Sequence, residues 1–199
     1  MNYLAHVFLS GDQLTWQLGG FLGDFIKGPL PEYLGDEQGG VWPAEVLAGV
    51  RLHRKLDAHV DQMPAYLACI ELLGDSYRRW GGVAMDVFFD HLLARQWQDF
   101  SELDLTSFSQ SFYDYCLEQQ LRLPMSARRF IVRAADNDLF RGYADREIFI
   151  PVLQRIDQRV RFDTNLVEAG YAVLDNYSEL ERRFKPVMQS LIQDCQRWR

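Results

Sequence analysis

An all-α fold, one compact helical domain over residues 1–199, is what the sequence predicts, and three observations predict it. Apolar residues recur at three- and four-residue spacings through eight segments: 13–26, 43–61, 64–80, 83–98, 104–121, 126–136, 145–160 and 165–198. That is the period of a helix with one buried face. No stretch alternates apolar and polar residues over a strand's length between turn signals. The strong breakers fall between the segments, with an exception at Pro186.

The elements follow in order. Segment 13–26 runs into Gly28-Pro29-Leu30-Pro31 and the glycines of residues 35–40, which mark the longest loop. Segments 43–61 and 64–80 come next, and Gly81-Gly82 separates them from 83–98. Ser101-Glu102-Leu103-Asp104 sets a capping residue ahead of the aromatic-rich segment with Phe108, Phe112 and Tyr115. A short oxygen-bearing side chain there satisfies free N–H groups at a helix start. Pro124 opens the next helix, and Pro186, with no N–H to donate, is expected to kink or restart the last one. There is no internal repeat, low-complexity tract or linker.

Composition excludes several classes. With 199 residues, 48% of them hydrophobic, the chain can bury one sizeable core and is short for two. The same content excludes a disordered chain, which cannot bury enough surface to offset its ordering entropy. No apolar run approaches the roughly 20 residues of a bilayer span. The opening residues lack a basic region, and Gly11-Asp12 interrupts where a signal peptide stays apolar, so a soluble cytoplasmic protein is expected. Cys69, Cys116 and Cys195 are odd in number and widely spaced, which disfavours a disulfide framework or a zinc knuckle. The net charge of −7 argues against general nucleic-acid binding. Residues 122–161, however, hold nine arginines against five acidic residues. They form either a solvated helix face or a basic surface that accepts an acidic partner.

Polar residues interrupt two of the apolar stripes. At about 100° per residue, Val46, Val50, His53, Leu56, Asp57 and Val60 share one broad face of segment 43–61, with Asp61 at its edge. A buried carboxylate needs a cation, a hydrogen-bond network or a metal. His53 and Asp57, one turn apart, have the spacing to converge on one ion; a buried His–Asp pair, or an aspartate paired with Arg51 or Arg54, is the plainer alternative. Segment 83–98 repeats the pattern: Val83, Asp86, Asp90, Leu93 and Trp97 share a face, and His91 points to its side. Asp24 interrupts an apolar run just before the long loop, and His6 lies among Leu4, Ala5, Val7 and Phe8. Taken singly, Asp24 reads as a satisfied helix-end residue and His6 as a hydrogen-bonded core histidine. Carboxylates gathered in one core repel, and a divalent cation is the simplest way to hold them together. Aspartate oxygens with few histidines suit Mg²⁺ or Mn²⁺ better than zinc. The paired Glu-x-x-His pattern of di-iron bundles, a Walker loop, GxGxxG and GxSxG are all absent.

Four blocks carry a resemblance: Met1-Asn2-Tyr3-Leu4-Ala5-His6; Gly23-Asp24-Phe25-Ile26-Lys27-Gly28; Leu52-His53-Arg54-Lys55-Leu56-Asp57 with Asp61 and Pro64; and Met85-Asp86-Val87-Phe88-Phe89-Asp90-His91. In order and spacing over residues 1–98 they resemble the acyl carrier protein phosphodiesterases. The C-terminal half is similar more loosely, in length, helicity and scattered aromatics. The resemblance implies an HD-domain-like helix bundle, dependence on Mn²⁺ or a similar divalent cation, and removal of 4′-phosphopantetheine from holo-acyl carrier protein to leave the apo-protein. Two departures stand out. Some members read Asp-x-His-Pro where this chain has Asp61-Gln62-Met63-Pro64, and His59 points away from His53. The His-Asp order of HD proteins is also reversed in Asp90-His91.

Together these readings set the expectations. Asp24, His53, Asp57, Asp86 and Asp90 are expected to hold one or two divalent ions, with Asp61 or His91 as further ligands. His6 or His91 is expected to supply the leaving-group proton. Lys27 and Arg54 are expected to clamp phosphate. An acidic carrier protein would dock on Arg128, Arg129, Arg133 and Arg141, with Arg78 and Arg79 as alternates. The rival readings are an HD-like phosphohydrolase of nucleotides or small phosphodiesters, and a non-enzymatic helical adaptor whose acids sit in arginine-paired networks.

Overall fold

Eleven α-helices make up the computed structural model, which describes residues 1–199 and contains no strand beyond a lone bridge between Gly35 and Val41. The helices are α1 (Tyr3–Leu9), α2 (Leu14–Leu22), α3 (Ala44–Val60), α4 (Pro64–Glu71), α5 (Gly81–Arg95), α6 (Leu105–Glu118), α7 (Met125–Asp136), α8 (Leu139–Gly142), α9 (Phe149–Asp157), α10 (Leu166–Asp175) and α11 (Tyr177–Trp198). The predicted all-α class holds. Asp104 caps α6 as expected, its carboxylate accepting from the Ser107 N–H at 2.9 Å. None of the helices is long and apolar enough to cross a membrane.

Three boundaries differ from the periodicity. Helices α1 and α8, of seven and four residues, are too short to declare a period. Segment 64–80 stops being α-helical after Glu71, and Gly74 turns the chain at φ 88°, a conformation open to glycine. Segment 165–198 breaks at Asn176, whose N–H bonds back to Ala172 and Val173, while α11 runs straight through Pro186. An interior proline costs about 3 kcal/mol. Against this, α11 buries Leu180, Phe184, Val187, Met188 and Leu191, each contributing about 1.5–3 kcal/mol. Packing wins over local propensity.

One continuous apolar core runs from Leu4 to Cys195 and draws on every helix. Cys69, Cys116 and Cys195 are free thiols buried within it. The tightest crossing is α2 on α3. A Cβ on Gly19 would fall 2.1 Å from the Val46 carbonyl oxygen, and one on Gly49 would fall 2.3 Å from that of Trp16. Only this approach brings the end of α2 against the middle of α3. Helix α1 packs against α2 and α5, and its N-terminus is anchored from α5: the Asp90 carboxylate accepts the Leu4 N–H at 2.8 Å and the Ala5 N–H at 2.9 Å. The long loop is tied down by Arg54, which donates to the Ile26 and Gly28 carbonyls, and by Arg122, which pairs with Asp36 at 2.7 Å and lies over the Trp42 ring.

Candidate metal centre

These packings gather His6 from α1, His53 and Asp57 from α3, and Asp24 from the turn after α2. The His6 and His53 rings stack with centroids 3.7 Å apart. His6 Nε2 stands 3.1 Å from Asp57 Oδ1, and His53 Nε2 stands 3.2 Å from Asp57 Oδ2 and 3.9 Å from Asp24 Oδ1. A ligand atom from each of His6, His53 and Asp57 lies within 4.8 Å of the others. The imidazoles are buried and the two carboxylates half-exposed; His53, Asp24 and Asp57 line a recess of about 300 Å³ together with Lys27 and Arg54, and His6 lies behind Asp57 and His53.

Local sequence explains how His53 is held. Its Nδ1 donates to the Gly20 carbonyl at 2.8 Å, which leaves Nε2 as the atom facing the carboxylates. Its ring rests on bare backbone at Gly23, where a Cβ would fall 2.1 Å from Cγ. An Nε2 that faces two carboxylates calls for a positive charge between them. His6 is more exposed to the same demand. Both of its ring nitrogens are buried without a hydrogen-bonding partner, its approach to Asp57 being poorly aligned. Burial, then the neighbouring His53, lowers its pKa to about 3, so it stands as a neutral nitrogen donor. Burial alone would raise the Asp57 carboxyl, but contacts from His53 and His6 and a nearby positive charge hold it well below the usual range. Burial raises Asp24, against the pull of His53. A neutral His6 with orphaned buried nitrogens, a second imidazole fixed through its Nδ1 and one ionised carboxylate form a donor set that fits a divalent cation.

The structure sorts the expected residues. Asp24, His53 and Asp57 come together as expected, and His6, expected only to donate a proton, joins them as a ligand candidate. Asp86 meets the cluster indirectly: the buried Met1 α-amino group lies 3.0 Å from its Oδ1 and 3.6 Å from Asp57 Oδ1, and the Tyr66 hydroxyl donates to it. Burial pushes that amine's pKa down, yet Asp86 and Asp57 outweigh it and lift it to about 10. Asp90 is placed otherwise than expected. It is fully buried and both its oxygens are taken by α1 N–H groups. His91 is likewise engaged elsewhere, donating from Nδ1 to the Tyr143 carbonyl and accepting at Nε2 from the Tyr177 hydroxyl, each at 2.8 Å. Asp61 caps the end of α3, exposed and outside the cluster.

The basic residues divide too. Lys27 is exposed on the recess, whereas Arg54 spends guanidinium donors on the loop carbonyls. Arg128 donates to the carbonyls of Gln120 and Leu121, holding the turn before α7, and Arg141 pairs with Asp138 at 2.8 Å. Arg129 and Arg133 remain exposed. His59 does turn away, pairing with Asp194 at 3.1 Å. Sequence reasoning missed the Gly20 carbonyl, the Gly23 cradle, Tyr66 and the α-amino group; the one signal available was the Gly19-Gly20-x-x-Gly23 spacing, which brings small residues onto one helix face.

Comparison with known proteins identifies the family. The family model described as acyl carrier protein phosphodiesterase matches residues 1–191. Among curated relatives, a Serratia proteamaculans protein with that name is 36% identical over 132 residues, covering 65% of this chain and 62% of its own. One from Yersinia pestis is 27% identical over 198 residues, covering 98% of each chain, and one from Escherichia coli O157:H7 is 32% identical over 191 residues, covering 92% of each. No solved structure matches. With its whole helical core matched from the first residue to the last turns of α11, the chain belongs to the acyl carrier protein phosphodiesterase family.

Proposed function

We propose that this chain hydrolyses the phosphodiester joining 4′-phosphopantetheine to holo-acyl carrier protein, with Mn²⁺ or Mg²⁺ held by His6, His53 and Asp57, and Asp24 beside them. The observation that carries this reading is the orphaned, neutral His6 nitrogen facing an ionised Asp57 in a family named for the reaction. A divalent ion bound there supplies charge that offsets the phosphoryl oxygens and acidifies water. In the hydrolysis, a water oxygen bonds to phosphorus, the bond from phosphorus to the carrier serine oxygen breaks, and that oxygen takes up a proton.

The chain's own residues have separate tasks. His53, fixed through Gly20, presents Nε2 in one orientation. Asp24, half-exposed on the recess with its pKa raised by burial, is the group placed to accept and hand on a proton. That replaces the expected donors, since His91 is engaged elsewhere and His6 is held neutral. Lys27 at the rim attracts the substrate phosphate. Arg129 and Arg133 steer the acidic carrier protein toward the recess, a long-range effect that salt screens within about 10 Å at 0.1 M. Reduced, buried Cys69, Cys116 and Cys195 suit a cytoplasmic setting.

The test is to incubate holo-acyl carrier protein with the protein and Mn²⁺ and read intact mass. Conversion to the apo-protein is expected, abolished by chelator and in His53→Ala. Unchanged holo-protein, or release that survives chelation, overturns the reading; preferential turnover of nucleotides would favour a general phosphohydrolase.

A further inference from the structure

A second concavity is larger than the metal recess. A cavity of about 640 Å³, the size of a small-molecule site, opens where α7 and α9 flank the start of α1. Its walls are apolar, chiefly Phe130, Val152 and Ile156, all only partly buried. Arg133, Arg155 and Arg159 line it as well. All three are exposed, and no carboxylate lies within ion-pairing distance of any of them. Three uncompensated guanidiniums over an apolar floor repel one another until an anion joins them.

Tyr3 connects this cavity to the candidate metal centre. It lines the cavity, packs on Phe130 with centroids 4.1 Å apart, and stacks on Phe25, the neighbour of Asp24. Its hydroxyl lies in the fields of both Asp24 and Arg159. Asn2, next along, donates its side-chain amide to the Tyr143 hydroxyl at 3.1 Å on the cavity wall, so amide-bonding groups are present among the apolar ones. The sequence reading saw the arginine-rich stretch but assigned Arg155 and Arg159 no role.

We infer that this cavity is the subsite for the phosphopantetheine arm, with the phosphate lying between the candidate metal centre and Arg159 and the amide-bearing chain along Phe130, Val152 and Ile156. The inference rests on the phosphodiesterase reading and deepens it. A ligand that is anionic at one end, apolar along its methylenes and amide-bearing between matches a basic, apolar and amide-bonding lining arranged side by side.

The experiment titrates free 4′-phosphopantetheine into the metal-free, full-length protein by calorimetry and measures KM for holo-acyl carrier protein in parallel. The arginines are exposed and unpaired, so an Arg155→Ala/Arg159→Ala variant keeps its fold, which circular dichroism verifies; Val152→Trp fills the cavity as a second probe. Expected are a measurable Kd for the wild type, at least a tenfold weaker Kd in the arginine variant, and a KM raised by a similar factor. Wild-type turnover with Kd and KM unchanged in both variants overturns the subsite and leaves the proposed reaction standing. Variant-sensitive binding without any wild-type turnover supports the subsite and overturns the reaction. Neither binding nor turnover overturns both.

Discussion

Two clusters of buried polar residues, alike in sequence, differ in how their hydrogen bonds close. On α5, Asp90 and His91 are fully enclosed and fully satisfied: two backbone N–H groups on the carboxylate, a carbonyl and a hydroxyl on the imidazole. Where α1 and α3 meet, His6 and His53 are just as buried, but His6 has no partner and His53 aims its free nitrogen at carboxylates. A closed network is architecture. An open one, with an orphaned imidazole beside an ionised acid, fits a cation.

The largest expected effect separates the two clusters directly. His53→Ala removes a ligand from a site whose charge stabilisation is worth several kcal/mol, so kcat/KM should fall about 10³-fold or more at tenfold per 1.4 kcal/mol. Its melting temperature should fall less than that of His91→Ala, since His53 makes one protein hydrogen bond where His91 makes two. His91→Ala should do the reverse, lowering stability with little direct change in kcat; equal catalytic losses in the two would erase the distinction. Next, Asp90→Ala leaves two buried N–H groups without an acceptor at about 1–3 kcal/mol each. Urea denaturation should show a loss in that range or above, and metal affinity should weaken with it because α1 carries His6. Gly23→Ala drives a methyl into the His53 ring, and a disturbed ligand orientation costs about 10–100-fold in metal affinity; Mn²⁺ titration measures this.

A smaller effect depends on pH. Burial, opposed by the two N–H bonds, raises Asp90 to about 7, whereas in the unfolded chain it titrates at about 3.9. Between those values the folded state holds a proton that the unfolded state has released. The contribution of Asp90 is therefore complete below about pH 4 and declines as pH rises toward 7. Denaturation midpoints in Asp90→Asn should lose that decline. A slope identical to wild type would place the titration elsewhere. The smallest effect is expected for His59→Ala, which removes a half-exposed partner of Asp194 while Arg197 remains paired with it, a loss of under about 1 kcal/mol.

Much of this was legible in the residues alone. Helical period predicted the face of α3 that carries His53 and Asp57, and the run before the long loop exposed Asp24. Helix α1 escaped notice as an element because seven residues do not complete a repeat, although its histidine did not. The assignment of Asp90 and His91 failed for a different reason. A one-dimensional pattern reveals that a polar group is buried, but its partners are the Leu4 and Ala5 amides and Tyr143 and Tyr177, which lie 52 to 86 positions away. Gly23 and Gly20 act through an absent side chain and a carbonyl, which residue chemistry does not advertise.

The anchoring of α1 by Asp90 gives the remote helix α5 authority over the reaction. A seven-residue segment has little rigidity of its own, so the coordinates of His6 are inherited from a carboxylate that never meets substrate. Any redesign of the hydrophobic interior that slides α5 along its axis would retune the donor set from behind, with every residue of the recess left in place.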